Sequence, residues 1–190
     1  MLQNKKKLIT IITVVKNGEK NIESCIKSVL RQNYKNLEYI IIDGNSSDGT
    51  NEIISKYKNN ISKIIREKDE GIWDAMNKGI MSANGDIIGF FIKTNKHKEV
   101  GLYDTKYLSA DLDFFYKLIV KYKMVGLSTH RDEIFGKFGS GGFSSKINYI
   151  DHLIDLNQIR IKNNQNKFFV YFLFFIKIIK KPIKFLQGML

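Results

Sequence analysis

The chain has 190 residues, a formal net charge of +12 and one cysteine, Cys25. This length fits a single domain that buries roughly 70% of its unfolded surface, and one cysteine excludes an internal disulfide framework and suits a reducing, cytoplasmic compartment. The charge favours anionic partners in general. Because the lysines are spread along the chain and no nucleic-acid-binding motif accompanies them, no specific nucleic acid is expected.

The first predicted element is an apolar run at residues 8–15, directly after three lysines. Two threonines interrupt the run, and Lys16-Asn17-Gly18 follows where a signal peptide needs small residues for cleavage. We therefore predict a buried β-strand here. No segment reaches the ~20 apolar residues of a membrane span.

The first ninety residues alternate between strand-like and helix-like hydrophobic periods. The predicted strands are 8–15, 37–42, 61–65 and 87–92, and the predicted helices are 20–31, 50–58 and 72–81. Thr50 is expected to cap the second helix. Strands that alternate with helices form βαβ units, so the predicted fold is α/β with a mainly parallel central sheet.

The alternation stops after Ile92. A polar stretch at 93–98 is predicted to be a loop, a helix begins again near Ser109, and a glycine–serine loop occupies 136–145. These features suggest one domain over 1–150 and a helical segment over 151–190.

The C-terminal tail, residues 168–186, combines a strongly apolar run with lysines. The positive charges recur at helical spacing on one face, at Lys177, Lys180, Lys181 and Lys184. This pattern is typical of an amphipathic helix that lies on anionic lipid, and the alternative is a helix that packs on the domain. Pro182 is expected to break or kink this helix.

The strongest local motif is Ile42-Asp43-Gly44-Asn45-Ser46-Ser47-Asp48-Gly49-Thr50. A carboxylate at the carboxyl end of a buried strand lies where open α/β sheets bind ligands, and glycines let the backbone approach a ligand closely. Asp43 could accept a hydrogen bond from a base N–H there. The alternative is an ordinary strand-to-helix turn in which aspartate is a turn former.

Four blocks, in order and near the expected spacing, resemble the start of family 2 glycosyltransferases. They are residues 12–18, 42–50, 69–79 and 85–90. The resemblance implies an inverting enzyme with a GT-A, Rossmann-type sandwich that uses a nucleotide-sugar donor, with uridine diphosphate as the expected carrier.

The resemblance also implies which residues bind the nucleotide. Asp43 would read the base, and the end of the first strand would pack against it. The implied nucleotide-binding set is Val14, Val15, Asn17, Asp43, Asp69 and Asn77. Lys16 stands where many members of the family have an aromatic residue.

A further match at residues 104–115 resembles the segment that carries the family's catalytic base, and it places that base at Asp111. An inverting transfer needs a carboxylate that takes the acceptor hydroxyl's proton. The alternative is a carboxylate that stabilises a helix N-terminus. Asp111 and Asp113 should point to nearly opposite sides of a helix, so we do not expect them to chelate one metal ion.

The chain departs from the family after residues 87–91. Members of the family use paired aspartates there to hold Mg²⁺ or Mn²⁺ on the diphosphate, whereas this chain has none, and an apparent deletion lies near 94–99. We predict that the metal ligands are missing and assign His97 and Glu99 to a solvated loop.

The leading hypothesis is a bacterial glycosyltransferase that moves a sugar from a UDP-sugar to a polysaccharide or lipid-linked acceptor. It is expected in the cytoplasm, peripherally on the inner face of the plasma membrane through 168–186. The alternatives are an inactive nucleotide-sugar-binding remnant and a basic nucleic-acid-binding module.

Overall fold

The computed structural model describes residues 6–88, 92–124 and 147–187. The chain forms two compact units, Met1–Thr105 and Lys106–Leu190. The first unit contains a sheet with helices, and the described part of the second unit is helical. The predicted glycine–serine loop at 136–145 lies outside the described residues.

The first unit is built around a five-stranded sheet. Its elements are β1 (Ile9–Val15), α1 (Glu19–Leu30), β2 (Leu37–Asp43), α2 (Thr50–Lys56), a 3-10 turn (Lys58–Asn60), β3 (Lys63–Arg66), α3 (Ile72–Ser82), β4 (Ile87–Ile88), β5 (Ile92–Lys93) and α4 (Thr94–Val100). The strand order is β3-β2-β1-β4-β5, and every pair is parallel except β4 with β5. The predicted α/β class with a mainly parallel sheet is confirmed.

Strand β2 is buried on both faces, which explains its apolar run Tyr39–Ile42. Tyr39 and Ile41 join the core on the side of α1 and α2. Successive residues of a strand point to opposite faces, so Ile40 and Ile42, both fully buried, face the side of α3. The hydroxyl groups of Thr13 and Tyr39 lie 3.1 Å apart on the side of α1 and α2. Burial raises the pKa of Tyr39 to about 12.

Two predictions near residue 90 are wrong. The strand predicted at 87–92 is instead two short antiparallel strands, in which Ile87 pairs with Lys93 and Ile88 with Ile92. The loop predicted at 93–98 is helix α4, and His97 on that helix is 2% exposed rather than solvated. The buried positions of α4 are Thr94, His97 and Val100. Two of these three are polar, so the helix lacks the apolar period that would have predicted it.

The predicted capping role of Thr50 is also corrected. Gly49 is the N-cap of α2 and Thr50 is its first residue. Asp48 Oδ1 accepts hydrogen bonds from both the N–H and the hydroxyl of Thr50, at 3.1 and 2.5 Å. The aspartate therefore supplies the acceptor that a capping side chain normally provides.

The second unit contains α5 (Ala110–Tyr116), a π-helical turn (Lys117–Lys121), α6 (Tyr149–Lys162) and α7 (Lys167–Gln187). Helix α6 lies almost entirely within the helical segment predicted over 151–190, and Asn148 caps it by accepting the N–H of Ile150 at 3.1 Å. The predicted C-terminal helix is α7, and it runs through Pro182 without a break. Among the described residues, no helix combines the length and apolarity needed to cross a bilayer.

Candidate nucleotide-binding site

The carboxyl ends of β1, β2 and β3 lie side by side. Val15 is in register with Asp43, and Asp43 is in register with Arg66. Strand β2 pairs with one edge of β1, and β4, which comes later in the chain, pairs with the other edge of β1. Ligands of open α/β sheets bind beside the carboxyl ends of strands at such a reversal of strand order.

Asp43 is 1% exposed and only one of its two carboxylate oxygens has hydrogen bonds. Oδ1 accepts the backbone N–H and the hydroxyl of Ser46, at 3.0 and 2.5 Å. Oδ2 is buried and has no hydrogen-bond donor among the described residues, while Arg66 Nε lies 3.3 Å away as an ion-pair partner. A buried acceptor without a hydrogen bond is costly, so Oδ2 is poised to accept an N–H from a ligand.

Ser46 connects the loops that follow β1 and β2. Its hydroxyl donates to Asp43 and accepts the backbone N–H of Asn17 at 2.8 Å. Asn17 Oδ1 in turn accepts the backbone N–H of Ser47 at 2.9 Å. Asn17 and Asn45 have φ angles of 51° and 58°, a left-handed conformation that asparagine tolerates better than most residues. The exposed Asn17 is thus held in one position beside Asp43.

A second set of hydrogen bonds fixes the same two loops at the start of α1. Gly18 N–H donates to Thr50 Oγ1 at 2.9 Å, and Glu19 N–H donates to Asp48 Oδ2 at 3.1 Å. The hydrogen bond from the Thr50 hydroxyl is the main cause that lowers the pKa of Asp48. Asp48 is therefore ionised at neutral pH and ties the two loops together.

Asp69 belongs to the same edge of the sheet. Its side chain is 6% exposed, and Oδ1 accepts the Gly71 N–H at 3.1 Å. Lys16 Nζ lies 3.9 Å from Oδ1 and is more than half exposed. Gly44 passes so close to the Asp69 carboxyl group that a side chain at position 44 would collide with it.

Five residues of the predicted nucleotide-binding set therefore lie along this edge: Val14, Val15, Asn17, Asp43 and Asp69. Their contacts with a nucleotide stay predictions. Sequence reasoning missed Arg66 and did not assign Ser46 to the site. The position of Arg66 at the carboxyl end of β3, next to Asp43, is the signal that could have found it.

Asn77, the sixth residue of the predicted set, has both ends of its amide engaged. Nδ2 donates to the Tyr103 carbonyl at 2.8 Å and Oδ1 accepts the Tyr103 N–H at 2.9 Å. The Tyr103 ring lies 5.0 Å from that of Trp73, between centroids. Asn77 thus holds the segment after α4 against α3, and its contact with a nucleotide stays a prediction.

Asp111 lies in the second unit, in the first turn of α5. It is half-buried, and its Oδ1 accepts the N–H of Leu112 at 2.9 Å. The segment before it is fixed by Asp155, which accepts the N–H groups of Leu108 and Ser109 at 2.9 and 2.8 Å. Within the described residues the other carboxylate oxygen of Asp111 has no hydrogen bond, and the role of this residue as a base stays a prediction.

Asp113 is fully buried and has a structural role. Its carboxylate contacts Lys117 and Lys162 at 2.9 and 3.0 Å and accepts from Asn163 Nδ2 at 2.9 Å. These contacts join α5 to α6. Burial would raise the pKa of Asp113, but the hydrogen bonds from these three side chains outweigh it and lower the pKa.

A site for Mg²⁺ or Mn²⁺ needs several oxygen ligands close together. Across residues 6–88, 92–124 and 147–187, no three His, Cys, Asp or Glu side chains are grouped so that they could hold an ion. That the family's metal ligands are missing stays a prediction, and the cationic groups beside the site's carboxylates are Lys16 and Arg66.

Comparisons with known proteins agree with this architecture. Residues 10–91 match the profile described as Glycosyl transferase family 2. TuaG of Bacillus subtilis, named for teichuronic acid biosynthesis as a glycosyltransferase, is 33% identical over 101 residues, which cover 52% of this chain and 40% of TuaG. The match therefore spans well under half of that relative.

Two solved structures each resemble just under half of the chain. The mannosyltransferase PcManGT from Pyrobaculum calidifontis, in complex with GDP-Man and Mn²⁺, has a TM-score of 0.41 at 23% identity, covering 45% of this chain and 27% of its own. S. aureus TarS 1-349 in complex with UDP-GlcNAc has a TM-score of 0.41 at 23% identity, covering 48% and 29%. Residues 10–91 of the chain are thus similar to glycosyl transferase family 2.

Proposed function

We propose that the first unit binds a nucleoside diphosphate-sugar and that Asp43 accepts a hydrogen bond from its base. The observation that carries this proposal is the buried Asp43 Oδ2, which has no hydrogen-bond donor among the described residues. Uracil offers one imide N–H between two carbonyl groups, which suits a single acceptor, and we propose uridine as the base. A base that reaches Oδ2 must displace Arg66 Nε from its position 3.3 Å away.

The rigid frame around Asp43 supports the same proposal. Asn17, Ser46 and Asp48 join the loops after β1 and β2 before any ligand arrives. A site that is ordered in advance loses less entropy on binding, so more of the contact energy appears as affinity. Lys16 and Arg66, both partly exposed, supply positive charge for a diphosphate beside this frame.

We further propose that transfer uses Asp111 as the base and that the acceptor is a surface polysaccharide or a lipid-linked precursor. The similarity of residues 10–91 to glycosyl transferase family 2 and the name of the relative TuaG support this reading. A second candidate is a nucleotide-sugar-binding protein without transfer activity. It is favoured by the sequence between Asp86 and Glu99, which has no paired aspartates that could hold a metal on the leaving diphosphate.

Turnover of UDP-sugars by the purified chain separates these candidates. The proposal predicts weak metal binding and transfer far slower than that of a full-length relative. The assay compares reactions with Mn²⁺ and with a chelator, and GDP-sugars serve as the comparison for the base. Robust, chelator-sensitive turnover would show that a metal site is assembled elsewhere. Binding without turnover favours the second candidate.

We also propose peripheral contact between α7 and anionic lipid on the cytoplasmic face of the plasma membrane. The support is a stripe of exposed aromatic side chains at helical spacing, consisting of Phe168, Tyr171, Phe172 and Phe175. Val170, which is fully buried, lies on the other side of the helix. An apolar stripe on a lysine-rich helix suits the boundary between lipid headgroups and acyl chains.

A further inference from the structure

A second concave site lies at the opposite edge of the sheet from Asp43. It is a cleft of about 500 Å³ beside the amino ends of β1 and β4. Its lining includes Lys7, Asn84, Asp86, Lys93, Thr94 and Lys98. Because the nucleotide site occupies the carboxyl ends of the strands, the two sites are separate.

The lining of this cleft is positively charged. Lys7, Lys93 and Lys98 stand against a single carboxylate, Asp86. That carboxylate already accepts the N–H of Leu8 through Oδ2 at 2.9 Å. Lys98 Nζ donates one hydrogen bond to the Ala83 carbonyl at 3.3 Å, which leaves two N–H donors for a ligand. Within the described part of the chain, Lys7 and Lys93 have no ion-pair partner, so the cleft keeps an excess of positive charge.

Thr94 provides an independent sign that a ligand belongs here. The residue is 7% exposed, and its hydroxyl oxygen is buried without a hydrogen-bond partner among the described residues. Its backbone N–H is already satisfied by the Asp86 carbonyl at 2.9 Å. Native structures rarely leave a buried hydroxyl without a partner, and rotation of the Thr94 side chain toward the cleft that the residue lines would let a ligand oxygen provide one.

We propose that this cleft binds a small phosphorylated, hydroxyl-bearing anion, with the phosphate held by Lys93 and Lys98 and one oxygen bonded to the Thr94 hydroxyl. The volume lies within the range of small-molecule sites. Lysine ammonium groups are common phosphate partners, and the side chains of Asn84 and Asn95 add polar groups to the lining. The proposal does not depend on nucleotide binding.

Calorimetric titration of the full chain with glucose 1-phosphate tests this site, with glucose as the uncharged comparison. The double variant Lys93→Gln/Lys98→Gln should lose about tenfold or more in affinity, because two charge-assisted contacts are removed. The matched control Lys56→Gln/Lys58→Gln removes the same charge from exposed positions outside the cleft and should change affinity by less than about twofold. Asp43→Asn should leave this affinity unchanged.

Thr94→Val adds a second readout. It should weaken glucose 1-phosphate binding while the melting temperature of the unliganded chain stays the same or rises, because a buried hydroxyl without a partner is removed. A soluble short-chain lysophosphatidic acid, which has a free hydroxyl group, serves as a parallel probe, and the tighter of the two probes identifies a sugar phosphate or a lipid headgroup as the source of the phosphate.

Three results would overturn the proposal. They are no measurable heat with either phosphate probe, equal binding of glucose and glucose 1-phosphate, and equal losses in the Lys93/Lys98 and Lys56/Lys58 variants. The last result would mean that the net charge of the chain, rather than this cleft, attracts the anion. A loss confined to the cleft variants supports the site.

Discussion

The backbone of Gly44 passes so close to the Asp69 carboxyl group that a Cβ atom at position 44 would lie 2.9 Å from Asp69 Cγ. The Asp69 side chain is 6% exposed and has little room to retreat. Gly44→Ala should therefore displace Asp69 and cost about 1–3 kcal/mol of stability, with weaker UDP binding. Thermal denaturation and calorimetry measure the two effects.

A double-mutant cycle isolates the cause of that loss. In an Asp69→Ala background the added methyl group meets no carboxyl group, so Gly44→Ala should cost clearly less than it does alone. If the cost is the same in both backgrounds, the backbone of Gly44 rather than its contact with Asp69 determines the effect.

Glu38 gives a prediction about pH. This 9% exposed carboxylate accepts hydrogen bonds from Thr10 Oγ1, Asn84 N, Asn84 Nδ2 and Gly85 N. Burial alone would raise the pKa of Glu38, but these hydrogen bonds outweigh it and hold the pKa below its ordinary value of 4.5. The folded state then binds fewer protons than the unfolded state in acid, so the stabilisation is full above pH 4.5 and is lost as pH falls through the folded pKa.

Glu38→Gln should be less stable than the wild type by about 1–3 kcal/mol near neutral pH, and the difference should shrink in acid. Urea denaturation at several values between about pH 3 and 7 measures the free energy of unfolding of both proteins. Glu52→Gln, at an exposed position of α2, is the control and should show no such convergence. A difference that stays constant with pH would contradict the ionised state of Glu38.

Substitution of the two aspartates of α5 should affect different properties: Asp113 should matter for stability and Asp111 for sugar transfer. Asp113→Asn weakens the ion pairs with Lys117 and Lys162 and should cost about 2 kcal/mol, below the roughly 3–5 kcal/mol of a fully buried pair, since the lysines are 23% and 35% exposed. Asp111→Asn should leave stability nearly unchanged and lower any sugar transfer by about 10²–10⁴-fold without weakening UDP binding. Unaltered turnover in the Asp111 variant would remove its assignment as the base.

Membrane contact through α7 is tested by sedimentation with phosphatidylserine-containing vesicles. Phe168→Ser/Phe172→Ser removes two side chains that are 88% and 60% exposed, so the fold should be kept while vesicle binding falls. Met81→Ser is the matched control, because Met81 is 60% exposed on a different helix. Equal sedimentation of all three proteins would mean that the aromatic stripe does not bind lipid.

The sequence allowed the parallel sheet and the position of Asp43 to be predicted, because the buried strands are rich in apolar residues and a carboxylate that ends such a strand lies at the ligand edge. Helix α4 was not predicted because two of its three buried residues are polar, so the sequence shows no apolar helical period there. The ion pair between Arg66 and Asp43 depends on the register of two strands, which no local pattern encodes. The engagement of Asn77 with Tyr103 likewise joins residues 26 positions apart.

Asp43 is the proposed acceptor for the base, and calorimetric titration with UDP tests this role most directly. Asp43→Asn keeps the shape of the side chain but can place an N–H donor where Oδ2 now lies, so UDP affinity should fall by about 1.5–3 kcal/mol, roughly 10- to 150-fold. Glu52→Gln, which removes the same charge from an exposed position, should bind like the wild type. Unchanged UDP binding in Asp43→Asn would contradict the account.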